Sequence, residues 1–333
     1  EDSLSLYLNL VLKKLITFAL LNSHNYIKDD FFKYQNFPIL TSRRGENDDL
    51  IMNILGHNKS NLNYIIENGG EPFLSTFKSD QCEFTKSNCV SSSALTSKNI
   101  IKVRPLYIEI KNPGLKIRSF IYKYKSIFKY RKILNKQKSA LIIFNCIDRY
   151  RVFSPCPYSC KSQLQHFESN IKLIKKLKEK NYLILIRQHP RVTNFERLLI
   201  EKYKNIFTNC IFVNKKIMLE DTFDMVDIVF NTYPETAFAQ TLYYKKITIL
   251  ATPFKIWSLR PEFLDLFNLM VKKGFYIDSS EDIDFDVKSF QEYKTIYEDP
   301  VVKKYLNKIN SYLFSYSSRK KLLSSYILNS KNT

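Results

Sequence analysis

Glycine is scarce: the chain has 333 residues and only six glycines, against an average usage of roughly 7%. The glycine-built signatures GxGxxG, Walker A and GxSxG are all missing, and so is HExxH. Their absence argues against classical dehydrogenase, P-loop, hydrolase and zincin chemistry. Acidic residues are few beside basic ones, 32 Asp and Glu against 52 Lys and Arg, which leaves a net charge of +20. Such an excess points to an acidic partner: nucleic acid, an anionic membrane face or a phosphorylated substrate. No zinc-finger spacing or RNA-binding aromatic signature accompanies the dispersed lysines, so nucleic acid is set aside. No run of 18 or more apolar residues occurs, and the best candidate, residues 15–21, is too short to span a bilayer. None of the six cysteines forms a CxxC pair, which reads as free thiols in a reducing cytoplasm. The start EDSLSLYLNL is acidic, lacks Met and carries no cleavable signal pattern. The missing Met suggests a segment of a longer protein.

What is present supports a folded protein. Hydrophobic residues make up 44%, enough for a real core, and the length suits two domains. Residues 1–135 carry weak signals. Leu4, Leu8, Val11, Leu12, Leu15 and Phe18 have helical spacing. Residues 36–49 read as a loop, 50–55 as a short strand ending at Gly56-His57, 73–99 as irregular, and 100–110 as a strand pair. Residues 111–138 are strongly basic and contain Pro113-Gly114, which reads as a turn in a linker.

Beyond residue 135 the pattern sharpens. Apolar runs at 140–145, 182–187, 210–213, 227–230 and 247–251 alternate with helical spacing at 162–180, 194–204, 219–225, 235–244 and 261–272. Such alternation predicts a doubly wound parallel sheet over residues 136–310. The tail, 300–326, reads as helical and able to pack back across a domain boundary, with 311–333 as a terminal segment.

In doubly wound sheets, ligands bind beyond the carboxyl ends of the strands. Two stretches there stand out. In LILIRQHPR (183–191), Arg187, His189 and Arg191 follow the second strand, and an arginine fork suits phosphate. A basic surface turn would use the same residues. In NTYPETA (231–237), a strand gives way to a helix start, a natural seat for an anion. Thr232-x-x-Glu235 is also a capping box, which explains the residues without a ligand, while Thr236 remains able to reach one. Trp257 and Arg260 follow the last strand. In the amino-terminal half, His57 is one of several groups that could serve as general base.

The carboxyl-terminal half resembles GT-B-type glycosyltransferases of bacterial surface-polysaccharide assembly. The likeness is greatest to transferases found near nonulosonic-acid gene clusters, related to sialyl, Kdo and capsule transferases. It rests on RQHP (187–190), on FDMVDIVFNTYPETAFAQTLYYKKITILATP (223–253), on WSLRPEF (257–263) and on DRYRVFSP (148–155). It covers roughly residues 140–310. The resemblance implies a GT-B-like α/β fold of two Rossmann-like domains, with the acceptor side in 1–135 and the donor side in 136–310. It implies a CMP-type nucleotide-sugar donor carrying a sialic-acid-like sugar or Kdo. Arg187, His189, Arg191, Thr232, Thr236 and Arg260 would hold that donor, with no metal and no cofactor required. The acceptor would be a surface glycan, free or lipid-linked, at the cytoplasmic face of an anionic membrane. Gly56-His57 and Asp80 match the spacing of the family's first-domain motif, which makes His57 and Asp80 the catalytic candidates. The family's glycines after the histidine and its Asp-Asp-Gly motif are absent. Polyol-phosphate transfer from a CDP-linked donor, or a sugar-nucleotide-binding protein without turnover, would fit the same residues.

Overall fold

The computed structural model describes residues 39–41, 63–66, 88–91, 100–102, 113–134, 137–147, 160–190, 192–234, 236–254, 261–280 and 283–313. Four short strands form one parallel sheet in sequence order: β1 (Ile39–Thr41), β2 (Asn63–Ile66), β3 (Asn88–Ser91) and β4 (Ile100–Lys102). β1 and β3 fall where the sequence reads as loop or irregular chain, so those two expectations are corrected, while β4 lies within the expected strand pair. Three or four residues are too few to print an alternation. The helix expected near the amino terminus and the strand expected at 50–55 lie outside the described residues.

Residues 113–134 are a single helix, α1 (Pro113–Leu134), where the sequence suggests a turn and linker. Pro113 is its first residue, a position where a missing N–H costs nothing. The Ser119 side chain is fully buried; its hydroxyl donates to Asp221 and accepts from the Met218 amide at 2.7 Å. Lys123 pairs with Asp224. These bonds attach α1 to the carboxyl-terminal unit.

That unit is built on a six-stranded sheet, all parallel: β5 (Ser139–Ile143), β6 (Leu183–Arg187), β7 (Ile211–Phe212), β8 (Ile228–Asn231), β9 (Thr248–Thr252) and β10 (Ile277–Asp278). Its order is β10-β9-β8-β5-β6-β7. Chain order therefore runs outward from β5 on one side, then crosses back and runs outward from β8 on the other, the doubly wound arrangement predicted. β5, β8 and β9 are buried along their whole length, and β6 at all but its last residue. Strands covered on both faces read as unbroken apolar runs, which is why the sequence revealed them. β10, two residues long, and the helix α8 (Phe290–Glu298) were not foreseen.

Helices α2 (Cys160–Glu179), α3 (Asn194–Lys202), α4 (Lys204–Phe207), α5 (Leu219–Thr222), α6 (Thr236–Tyr243) and α7 (Pro261–Lys272) join the strands. Phe144 of the sheet meets Phe167 of α2 and Phe207 of α4 edge-on. The last described helix, α9 (Pro300–Leu313), packs on α6 and buries Val302, Leu306, Ile309 and Leu313, an i, i+4, i+7, i+11 stripe that joins the same core. Three helices end in a left-handed residue, as the turn that closes a helix with paired 6→1 and 5→2 hydrogen bonds demands. Only one of the three, Gly274 after α7, is a glycine; Asn181 after α2 and Lys245 after α6 fill the others.

Candidate functional site

Strand register sets the site. Ile143, the last residue of β5, pairs with Arg187 on one side and with Asn231 on the other. Neighbouring strands lie about 4.8 Å apart, so Arg187 and Asn231 stand roughly 10 Å apart across the carboxyl edge. The crevice between β5 and β8, where the direction of winding reverses, is the switch point at which such sheets bind ligands.

The loops leaving these strands are tied together before they part. The Phe144 amide donates to the Arg187 carbonyl at 2.9 Å, extending the β5–β6 pairing. The Thr232 hydroxyl donates to the Ile143 carbonyl at 2.8 Å, extending the β8–β5 pairing. Asn145 is buried and its side-chain oxygen accepts from the Cys146 amide at 2.8 Å, which holds the chain just after β5. The Thr193 hydroxyl donates to the Ile147 carbonyl and also accepts from the Glu196 amide at 3.1 Å, capping α3. The carboxyl ends of β5, β6 and β8 thus form one braced edge.

Arg187 is half-buried, and its guanidinium donates to the Asn214 carbonyl at 3.4 Å. Burial lowers its pKa from the ordinary value, while Glu220 and Tyr233 act in the opposite sense. The influence of Tyr233 links Arg187 to the NTYPETA loop. His189 is half-buried two residues further on, and Thr236, also half-buried, is the first residue of α6. Thr232 sits differently from the reading as a donor ligand or helix cap. It is fully buried, and its hydroxyl reaches across to β5. The geometry gives it the task of holding the loop. Arg191, Arg260, His57 and Asp80 lie outside the described residues.

Two buried titratable groups lie under this edge, and one of them, Glu196, was missed. Glu196, in the first turn of α3, has no exposed surface, and its carboxylate accepts from the Gln188 side chain at 3.0 Å. Burial pushes its pKa up to about 7, against the opposing effects of Gln188, Lys215 and the Ile147 amide. One signal pointed to it: Thr193-x-x-Glu196 is a capping-box pattern. In a closed box the glutamate stays at the surface and reaches back to the cap amide, as Glu292 does to Ser289 at 2.8 Å. Glu196 instead turns inward to the residue between Arg187 and His189. The other group is His166 on α2. It is a core residue, buried close to Thr232 of the β8 loop. Burial drops its pKa to about 4, with the Thr232 backbone acting against that.

Several buried oxygens at this end have no hydrogen-bond partner among the described residues: Glu196 Oε2, Asn231 Oδ1 at the end of β8, Thr252 Oγ1 at the end of β9 and Ser279 Oγ just after β10. Buried polar atoms are nearly always paired; these four, among others such as Tyr276 and Tyr293 elsewhere in the unit, are open to a further polar partner. Among the described residues no three His, Cys, Asp or Glu side chains group as a metal site.

Comparison with known proteins places the chain at family level. No curated protein matches the sequence. Solved structures give distant likenesses. S. aureus MnaA in its co-structure with UDP is 9% identical, with 96% of this chain and 82% of that one covered at a TM-score of 0.44. Anabaena Alr3699/HepE in complex with UDP-glucose is 9% identical, with coverage of 93% and 81% and a TM-score of 0.43. Thermosulfurimonas dismutans KpsC, a beta-Kdo 2,7 transferase, is 12% identical, with coverage of 78% and 89% and a TM-score of 0.26. Scores this low do not establish kinship. The model of the LIC12162 family transferases, by contrast, matches residues 111–287. That span is just over half of the chain, starting two residues before α1 and running through β10 and the whole switch-point edge. The chain belongs to the LIC12162 transferase family.

Proposed function

We propose that this transferase is a GT-B-type glycosyltransferase that holds the phosphate of a nucleotide-sugar donor at the carboxyl ends of β5, β6 and β8. The observation that carries the reading is the row Arg187, Ile143 and Asn231, with His189 just beyond one end and the start of α6 beyond the other. In glycosyl transfer the bond from the anomeric carbon to the donor phosphate oxygen breaks, and negative charge gathers on the departing phosphate. The Arg187 guanidinium, the His189 ring and the first amides of α6 are groups suited to receive that charge. Donors already fixed in place need little rearrangement as the charge develops. The acceptor hydroxyl must lose a proton as it attacks, and His57 and Asp80 are the candidate bases.

The finer reading follows the sequence resemblance: a CMP-linked sialic-acid-like sugar or Kdo, passed to a surface glycan carried at the cytoplasmic face of an anionic membrane. Thermal-shift measurements with CMP, CDP, UDP and GDP test the donor site. Binding stabilises the folded state by mass action, about 2.7 kcal/mol at a hundred times Kd. A selective rise in Tm with cytidine nucleotides is expected, and no rise with any nucleotide at millimolar concentration would overturn the proposal. Replacing His189 by Ala should weaken nucleotide binding by roughly 10- to 100-fold, the scale of one charge-assisted hydrogen bond. Incubation with CMP-linked and CDP-linked donors then separates sugar transfer from polyol-phosphate transfer.

A further inference from the structure

Helix α1 turns Ser119 and Lys123 inward beside Tyr122 and Ile127, and leaves a set of apolar residues facing outward. Ser119 and Lys123 face the carboxyl-terminal unit through Asp221 and Asp224, and Tyr122 meets Lys216. On the opposite side Ile117 is 64% exposed, Phe120 57%, Ile121 46%, Tyr124 55% and Phe128 82%. These positions follow the helical i, i+3, i+4, i+7, i+11 series, so they form one stripe about 100° wide and about 17 Å long. Isolated exposed apolar residues are ordinary on a protein surface, but a contiguous stripe of five, three of them aromatic, marks a contact surface. The helix carries no acidic residue and seven basic ones. Lys116, Arg118 and Lys125 are exposed and flank the stripe on both sides.

We propose that this stripe docks the protein on an anionic lipid bilayer. An amphipathic helix lying in the membrane plane buries such a face about 5–10 Å into the headgroup boundary, with its flanking cations at the level of the phosphates. Phe and Tyr suit that depth, since their rings are apolar while the Tyr hydroxyl remains in the wet layer. Charge decides between a membrane and a second copy of the chain. Two-fold pairing would set this basic face against itself, and like charges facing each other oppose association. An anionic membrane reverses that sign. A lipid-linked acceptor, as in the proposed function, gives the docking a purpose, but the surface itself does not depend on donor binding.

Vesicle flotation of the full chain tests it. The chain should float with phosphatidylcholine–phosphatidylglycerol vesicles, less so as salt rises, and not with phosphatidylcholine alone. The pair Phe120→Ser and Phe128→Ser should cut binding at least tenfold, and so should Lys116→Glu with Lys125→Glu. All these residues are exposed, so melting temperature and nucleotide response should stay unchanged. Equal flotation with both lipids, or binding untouched by both pairs of substitutions, would overturn the proposal. So would a dimer on gel filtration that the Phe pair dissociates. Loss of every nucleotide response with intact vesicle binding would sink the donor site and leave this surface standing.

Discussion

At the amino ends of β5 and β8, the Asp227 carboxylate takes hydrogen bonds from the Ser139 amide and hydroxyl, both at 2.9 Å, and from Lys138 at 3.2 Å. Partial burial works to raise the Asp227 pKa, but the Ser139 bonds and Lys138 outweigh it and hold the group below its usual value. At the carboxyl ends of the same sheet the accounting is reversed. Glu196 Oε2, Asn231 Oδ1, Thr252 Oγ1 and Ser279 Oγ are buried without partners among the described residues. Each such group costs roughly 1–3 kcal/mol. Buried atoms without partners among the described residues also occur elsewhere, at Tyr276 and Tyr293 for example, so the contrast is between the Asp227 cluster and these four oxygens; open polar groups at the carboxyl edge agree with the strand-end rule for ligand sites. Shape alone would mislead: a cleft of about 630 Å³ lies by the amino ends of β6 and β7, lined by Asn181, Tyr182, Cys210 and neighbours, with Lys178 its only charged residue.

The largest effect of substitution is expected at Glu196. Its folded pKa, about 7, lies above the ordinary value of 4.5. Between those values the folded chain keeps a proton that the unfolded chain releases, so stability falls as pH rises through that window. The loss totals on the order of 3 kcal/mol. Glu196→Gln keeps the neutral hydrogen-bonding shape and has no proton to lose. Its unfolding free energy should equal wild type near pH 4 and exceed it by about that amount at pH 8; parallel pH profiles would refute the burial argument.

A somewhat smaller change, about 2 kcal/mol of destabilisation, is expected for Asp227→Ala at the satisfied end. The pKa of Asp227 is depressed, so its contribution is present above the ordinary carboxylate value and fades as pH falls below it. Urea unfolding at pH 7 and pH 3 should show a larger deficit at the higher pH, and nucleotide binding should be unaffected. The smallest effect on stability is expected for Thr252→Val, which removes an unpartnered hydroxyl from the open end: within about 1 kcal/mol of wild type, of either sign. The same change should reduce the nucleotide-induced rise in Tm. If Thr252→Val destabilised as much as Asp227→Ala, the contrast between the two ends would fail.

The sequence revealed most of the large sheet because four of its strands are buried on both faces and cannot avoid being apolar. It hid α1 for the opposite reason. With Ser119 and Lys123 inward and Phe120 and Phe128 outward, the helix mixes polar and apolar residues on both faces, and its opening Pro113-Gly114 imitates a turn. Arg187 and His189 could be picked out because strand ends are where this architecture binds. Glu196 escaped because a glutamate three residues after a cap threonine reads as a surface partner of the cap. Only packing revealed that it turns inward to Gln188.

The left-handed helix ends carry one more consequence. Glycine enters that conformation freely, whereas a side chain on an L-residue is crowded there by the following carbonyl. Gly274, at φ 69°, is favoured by that conformation; a Cβ there would meet only the flexible end of the Lys288 side chain, which can move aside. Lys245, at φ 53°, does the same job after α6 without glycine's freedom. A chain so poor in glycine has therefore left stability unclaimed: Lys245→Gly should gain up to about 1 kcal/mol at a surface position remote from the β5–β8 crevice.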